Sequence, residues 1–383
     1  MAANEQQHDV VVVGAGVIGL ACAWRAAQRG LDVCVLDRSA PGTGASEVAA
    51  GMLVPATEVE FGEDSLLRLK VASADAFPAF AAEVEDAAGT ETGYRRDGAL
   101  YVALDRDEAE ALRRIHDLQR SLGLDAEWLS PSACRELEPG LAPACAGGVL
   151  SAGDGQVDPR ALVDALAVAA HAAGATLVTP AEVVAGILEG DRIIGVEAAD
   201  CTRYSGDHVV LAAGCWSGSA SWLPEQTRPP VRPVKGQLLH LRGDPGALAR
   251  LPLRTERVYV VPRPDGRVIV GATVEERGFD LEITAGAVFE LLREAYRVLP
   301  QVEELEFVRV RAGLRPGSPD NAPLIGPGAL DGLMVATGHY RSGILLTPVT
   351  ADAVAAMLTG SDPDPVAAPF SPQRFDRPPV AVR

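Results

Sequence analysis

The sequence predicts an α/β protein: a discontinuous Rossmann-type dinucleotide-binding domain with an inserted second domain built on a largely antiparallel sheet. Three observations lead there. Residues 10–37 read as a complete βαβ unit with a glycine-rich turn and a terminal acid. Apolar runs that end in small residues return far along the chain, at 207–214 and 333–338. Between them, residues 231–311 carry several strand-like runs and one helix without βαβ alternation, the pattern of a separate sheet.

The opening unit is the most specific. Val10-Val11-Val12-Val13 runs into Gly14-Ala15-Gly16-Val17-Ile18-Gly19, a G-x-G-x-x-G. Helical spacing follows over 20–29 and stops at Gly30; a second apolar run, 33–36, ends on Asp37. Each part has a physical task. Gly14 permits the tight turn, Gly16 lets the backbone approach a pyrophosphate, and Gly19 lets helix and sheet pack closely. The helix start offers unpaired N–H groups and a positive dipole end to phosphates. Asp37 can accept hydrogen bonds from ribose hydroxyls. The motif serves both NAD and FAD, so the unit alone leaves the dinucleotide open.

Composition excludes other classes. At 383 residues the chain exceeds one ordinary core and suggests two domains. A formal net charge of −18 disfavours nucleic acid and anionic membranes as partners. The apolar stretches are strand-length, short of the roughly 20 residues that span a bilayer. The polar start, residues 1–9, lacks the basic-then-apolar order of an export signal, so a cytoplasmic protein is expected. Six cysteines without C-x-x-C spacing read as small apolar residues in a reducing compartment, and six unclustered histidines predict no metal site.

The remaining elements follow in order. Small residues at 41–53 allow backbone to approach something flat or charged. Helical spacing covers 65–88, a strand 98–104 and an amphipathic helix 107–122. Asp158-Pro159 opens a helix to 173, with Asp158 as N-cap and Pro159 at its first position. A strand at 175–178 and a hairpin, 182–189 with 192–198, precede the apolar run at 207–214. Strands are expected at 237–241, 258–261, 268–270 and 305–311, with a helix at 287–298. The strand at 333–338 leads to a helix at 344–358, and the Pro-rich tail, 361–383, is expected to lie on the surface or fray. Residues 1–85, 146–230 and 316–383 are assigned to the dinucleotide domain, and 86–145 with 231–315 to the inserted domain.

With these elements in place the chain resembles the D-amino acid oxidase family of FAD-dependent oxidoreductases, and within it the glycine oxidase group. The likeness rests on residues 11–19 with Asp37, on Ala49-Ala50-Gly51-Met52-Leu53 and on Val209-Val210-Leu211-Ala212-Ala213-Gly214-Cys215-Trp216-Ser217. It continues in Arg232-Pro233-Val234-Lys235-Gly236-Gln237, in Tyr259-Val260-Val261-Pro262-Arg263 with Gly271-Ala272-Thr273, in Ala312-Gly313-Leu314-Arg315-Pro316, and in residues 338–346. The family's ribose acid is usually glutamate; Asp37 is one methylene shorter. Some relatives hold flavin through a late cysteine, and no cysteine follows Cys215 here, so noncovalent FAD is implied.

The resemblance implies site residues. FAD would lie against Gly14, Ala15, Gly16, Val17, Ile18, Gly19, Asp37 and Arg38, then Ala45, Ser46, Ala50, Gly51, Met52 and Leu53. Val183 would meet the adenine through its backbone. Ala213, Gly214, Trp216 and Gly313 would follow, and Arg341, Ser342, Gly343, Ile344 and Leu345 would close the flavin end, with backbone N–H groups aimed at the pyrimidine carbonyl where charge builds on reduction. Arg315 would hold a substrate carboxylate through two parallel hydrogen bonds. Tyr259 would supply a further hydrogen bond, and Arg341 would reach the substrate or close the pocket. His339 is expected to be a structural turn residue, because hydride transfer from Cα to flavin N5 needs no protein base once the amine is neutral. Lys235 is left outside the site.

The implied reaction is oxidative deamination of glycine and other small amino acids (sarcosine, D-alanine, D-proline) to the 2-oxo acid, ammonia and hydrogen peroxide. Oxygen would be the acceptor, the assembly a homo-oligomer, a tetramer by resemblance, and the imine a precursor of the thiamine thiazole. Two other readings stay open: a D-amino acid dehydrogenase passing electrons to a quinone or carrier, and a tRNA-modifying flavoprotein or plain dinucleotide binder, of which the charge disfavours the RNA version.

Overall fold

The structure, a computed structural model, describes residues 5–244 and 248–375. An eight-stranded sheet forms the first layer. Its main path runs Leu324–Pro327, Leu333–Thr337, Arg203–Leu211, Glu5–Val13, Val33–Leu36, Thr176–Val178, and the hairpin Val183–Glu189 with Arg192–Ala198 pairs onto Arg203–Leu211. Glu5–Val13 lies parallel to both Val33–Leu36 and Arg203–Leu211, which lies parallel to Leu333–Thr337. Three segments distant in sequence therefore build one sheet, as the recurring apolar runs predict.

Both faces of this sheet are covered, which is why its strands read as unbroken apolar runs. Val10, Val12, Val33 and Val35 face a core shared with helices Val17–Gln28, Asp64–Ala88, Pro159–Ala172 and Thr347–Leu358. Val11, Val13, Cys34 and Leu36 face a second core with Ile193, Val196 and Trp222. Asp158 caps the Pro159–Ala172 helix through the Arg160 N–H, at 3.0 Å.

The second sheet runs Glu306–Gly317, Arg232–Arg242, Arg267–Gly271, Tyr259–Pro262, Leu253–Arg254, Ala99–Ala103, Gly147–Ser151, Glu127–Leu129. Every pairing is antiparallel except Leu253–Arg254 with Ala99–Ala103. The helix Ala285–Val298 packs Leu291, Ala295 and Val298 onto it. A ribbon of Met52–Leu53 with Gly155–Gln156 lies outside both sheets.

Several expected boundaries move. Gly147–Ser151 pairs with Ala99–Ala103, so the second sheet extends past residue 146, where the sequence returned the chain to the dinucleotide domain. Gly147 and Gly148, with no side chains to pack, hid the strand. The strand Arg232–Arg242 is longer than expected because Glu306–Gly317 pairs along its whole length. The last helix begins at Thr347 rather than 344: Pro348 has no N–H and fits only the first turn. Of the Pro-rich tail, 361–375 packs rather than frays, with Ala367 and Phe370 buried and Arg374 paired to Asp320 at 2.8 Å; residues 376–383 lie outside the described residues. No helix among the described residues is long and apolar enough to cross a membrane.

Candidate active site

A cavity of about 530 Å³ opens between the two sheets, at the carboxyl ends of the parallel strands, where open α/β sheets bind ligands. Its inner end is the glycine-rich turn. Gly14 has φ +114°, and a Cβ there would sit 2.5 Å from the Ala212 carbonyl oxygen. A Cβ on Gly19 would sit 1.9 Å from the Gly14 carbonyl oxygen. Around Gly16 the space is open instead, with only Ser46 Oγ at 3.6 Å from such a Cβ, and Gly16 lines the cavity. The N-cap residue of the helix Val17–Gln28 is Gly16, which has no side chain to cap it, and among the described residues the Gly16 N–H makes no backbone hydrogen bond. The Val17 N–H donates to Ser46 Oγ at 3.1 Å.

Asp37 sits where the second strand ends and accepts from the N–H groups of Ala15 (2.7 Å) and Ser39 (2.9 Å). A carboxylate offers about four lone-pair sites, so both oxygens keep capacity for ribose hydroxyls. The shorter aspartate is thus tied to the turn it serves. Beyond it the Arg38 guanidinium lies 4.3 Å from the Trp216 ring centroid, and Trp216 stacks on Phe279 at 6.2 Å. Val183, Ala213 and Gly214 complete this end of the wall. An open glycine cradle at a helix start and an acid at the second strand fit a bound dinucleotide.

The opposite end holds Arg315 and Tyr259. The Arg315 guanidinium donates from Nη1 to the carbonyl oxygens of Thr273 (3.0 Å) and Lys235 (3.4 Å). It lies flat across the neighbouring strand because residue 236 is glycine: a Cβ there would be 2.3 Å from Nη1 and 2.5 Å from Nη2. Tyr259 depends on glycine in the same way. Its cross-strand partner is Gly271, and a Cβ on Gly271 would be 2.4 Å from the phenol oxygen. Burial pushes the Tyr259 phenol up; Arg315, by charge and hydrogen bond, pulls it down, and the Glu58 charge adds to the rise. The phenol therefore stays protonated near neutrality, able to donate.

Arg341 is exposed at the rim, 3.7 Å from Glu60, with its Cζ 5.1 Å from the Tyr340 ring centroid. Gly343 and Ile344 line the cavity, and among the described residues the N–H groups of Gly343, Ile344 and Leu345 make no backbone hydrogen bond. These donors precede the helix rather than belong to it. His339 is 3 % exposed, bonded to Thr350 Oγ1 at 3.0 Å, and burial depresses its pKa to about 3. It is neutral near neutral pH and lines the cavity with its ring bonded to the last helix. Lys235 is fully buried and pairs with Asp280 at 2.8 Å, off the cavity wall.

Val17, Ile18, Ala45, Ala50, Gly51, Met52 and Gly313 also line the cavity. Ala15, Gly19, Leu53, Ser342 and Leu345 do not: they stand behind the wall, Ala15 holding Asp37 and Leu345 accepting from Ser73 Oγ at 2.7 Å. Three contributors escaped the sequence reading. Arg263, 6 % exposed, donates to the Ala50 carbonyl oxygen and Gln156 Oε1, each at 2.6 Å, and so clamps the second sheet to the Ala50–Met52 wall. Its place in the quoted Tyr259–Arg263 block was a signal. Glu58 and Arg254, paired at 3.0 Å on the wall, carried none.

Comparison with known proteins agrees with this geometry. Residues 9–357 match the family described as FAD dependent oxidoreductase. The chain is 35% identical to the glycine oxidase of Geobacillus kaustophilus over 371 residues, 95% of this chain and 96% of that one. The crystal structure of glycine oxidase from Geobacillus kaustophilus superposes with a TM-score of 0.89, covering 96% of this chain and 99% of that one. The bifunctional protein ThiO/ThiG of Trichormus variabilis is 34% identical over 375 residues, and the chain spans 55% of its length. The chain belongs to the FAD dependent oxidoreductase family, in its glycine oxidase group, and its cofactor is FAD.

Proposed function

We propose that the protein oxidises glycine and other small amino acids, sarcosine, D-alanine and D-proline among them, to the imine, with oxygen as acceptor and hydrogen peroxide as product. Hydrolysis of the imine gives the 2-oxo acid, with ammonia from glycine and D-alanine and methylamine from sarcosine, while the nitrogen of D-proline stays in its cyclic imine. The observation that carries this is Arg315: a half-buried guanidinium on the cavity wall, held by two carbonyl oxygens beside the Tyr259 phenol and laid flat by a glycine across the strand. Bound FAD supplies the two-electron acceptor. Arg315 takes the substrate carboxylate and fixes its orientation. Tyr259 donates a second hydrogen bond to the same group. Arg341 stands at the rim, where it meets the substrate or closes the pocket. The Gly343 and Ile344 N–H groups face the cavity as fixed donors for charge that develops there. With His339 neutral and turned to Thr350, the amine proton leaves to solvent before oxidation.

The likeness to the ThiO half of bifunctional relatives favours a role in thiamine synthesis for the imine product. Peroxide release from the FAD-loaded protein tests the reading, with glycine, sarcosine, D-alanine and D-proline supplied in air. One peroxide per amine consumed is expected; amine consumption without peroxide would instead mean a dehydrogenase. Arg315→Ala should raise KM for glycine by roughly a hundredfold or more while the bound-flavin spectrum persists. Unchanged glycine kinetics in that variant would remove Arg315 from the anchor role.

A further inference from the structure

The arginines at the substrate end differ in what they face. Arg315 meets carbonyl oxygens, and among the described residues no carboxylate stands within ion-pair distance of it. Arg254 and Arg341 are each already faced by a glutamate from one loop. Glu58 Oε1 lies 3.0 Å from Arg254 Nη1, and Glu60 Oε1 lies 3.7 Å from Arg341 Nη1. The first pair is the more enclosed, at 19% and 25% side-chain exposure, and both its members line the cavity.

The Glu58 pair is also held in place. The Glu58 N–H donates to the Val54 carbonyl oxygen at 3.1 Å. Just before it, the N–H groups of Ala56 (3.2 Å) and Thr57 (3.0 Å) and the Thr57 hydroxyl (2.5 Å) all donate to the buried Asp154 carboxylate. Gln119 Nε2 donates to the Ala56 carbonyl oxygen at 2.8 Å. On the other side, Arg254 rests with its Cζ 5.3 Å from the Tyr101 ring centroid. A carboxylate fixed this firmly on a cavity wall is part of the site's shape and charge.

We propose that Glu58 is a specificity-determining residue: it withholds Arg254 from the substrate, and its carboxylate repels a second anionic group, so the site selects amino acids with one carboxylate. The inference rests on Arg315 as the carboxylate anchor. A like charge close by in a half-buried cavity is strongly unfavourable, and rejection of this kind discriminates more sharply than a lost contact. With Glu58 neutralised, Arg254, the cross-strand partner of Tyr259, becomes a second anion site on the same sheet as Arg315. The remaining wall arginine at this end, Arg257, is exposed at the rim, where water screens it.

The test uses two ligands without an amine that differ by one carboxylate, methoxyacetate and diglycolate, titrated by calorimetry into the FAD-loaded protein. The parent protein should bind methoxyacetate at least tenfold tighter than diglycolate. Glu58→Gln should shift that ratio at least tenfold toward diglycolate, and Glu58→Asp should stay near the parent. Adding Arg254→Met to Glu58→Gln should abolish the gain. An unchanged ratio in Glu58→Gln, or a gain that survives the loss of Arg254, overturns the proposal while leaving the anchor intact. Methoxyacetate binding that survives Arg315→Ala overturns the anchor, and the proposal with it.

Discussion

Adding one methyl group at Gly236 should disable Arg315 without unfolding the protein. A Cβ there would lie 2.3 Å from Arg315 Nη1, 2.5 Å from Nη2 and 2.6 Å from Cζ. Ordinary contact is roughly 3.5 Å, so the guanidinium must retreat by about 1.2 Å. What it meets is the far end of a flexible side chain, so the cost to folding is small, on the order of 1 kcal/mol or less. The retreat breaks the 3.0 Å bond to the Thr273 carbonyl oxygen and tilts the fork away from the carboxylate position proposed for it. Losing one charge-assisted hydrogen bond costs about 1.5–3 kcal/mol, a ten- to hundredfold loss. Gly236→Ala should therefore lower kcat/KM for glycine by that factor, mostly through KM, in the peroxide assay. The thermal midpoint and flavin spectrum should stay near the parent's. Gly286→Ala, where a Cβ meets nothing within 4 Å, is the control. Parent-like kinetics in Gly236→Ala would refute the idea that the flat guanidinium is the functional arrangement.

Two further outcomes follow from buried groups. His339 has its pKa lowered to about 3 by burial, so between that value and 6.5 the unfolded chain binds the proton and the folded one does not. Its contribution to stability is complete above pH 6.5 and is lost as pH falls, by about 2 kcal/mol at pH 5. His339→Gln should flatten the fall in thermal midpoint across that window; an equally steep fall would show that other groups govern it. Arg263→Met strands the Ala50 carbonyl oxygen and Gln156 Oε1, two buried acceptors now satisfied at 2.6 Å each. The expected cost is about 2–4 kcal/mol, with faster loss of FAD on dilution, and Arg263→Lys should recover part of it. Full stability in the Met variant would mean that the clamp is dispensable.

The sequence by itself determined the cofactor half of this protein. Its signals are local: the turn at Gly14–Gly19 needs glycines at fixed offsets, and Asp37 follows because the second strand ends there. Val10–Val13 reads as a buried parallel strand because both faces of its sheet are covered. The substrate half was legible only as residue types. Arg315 and Tyr259 stood out through resemblance, whereas the glycines that let them lie flat, Gly236 and Gly271, act across strands 79 and 12 positions away. Glu58 and Arg254, and the Arg263 clamp, meet only when the second sheet closes against the ribbon at Met52. Contacts between segments so far apart leave no period or spacing in the chain. Tertiary structure alone decided which charges share the cavity, and therefore which of its arginines meets carbonyl oxygens and which meet carboxylates.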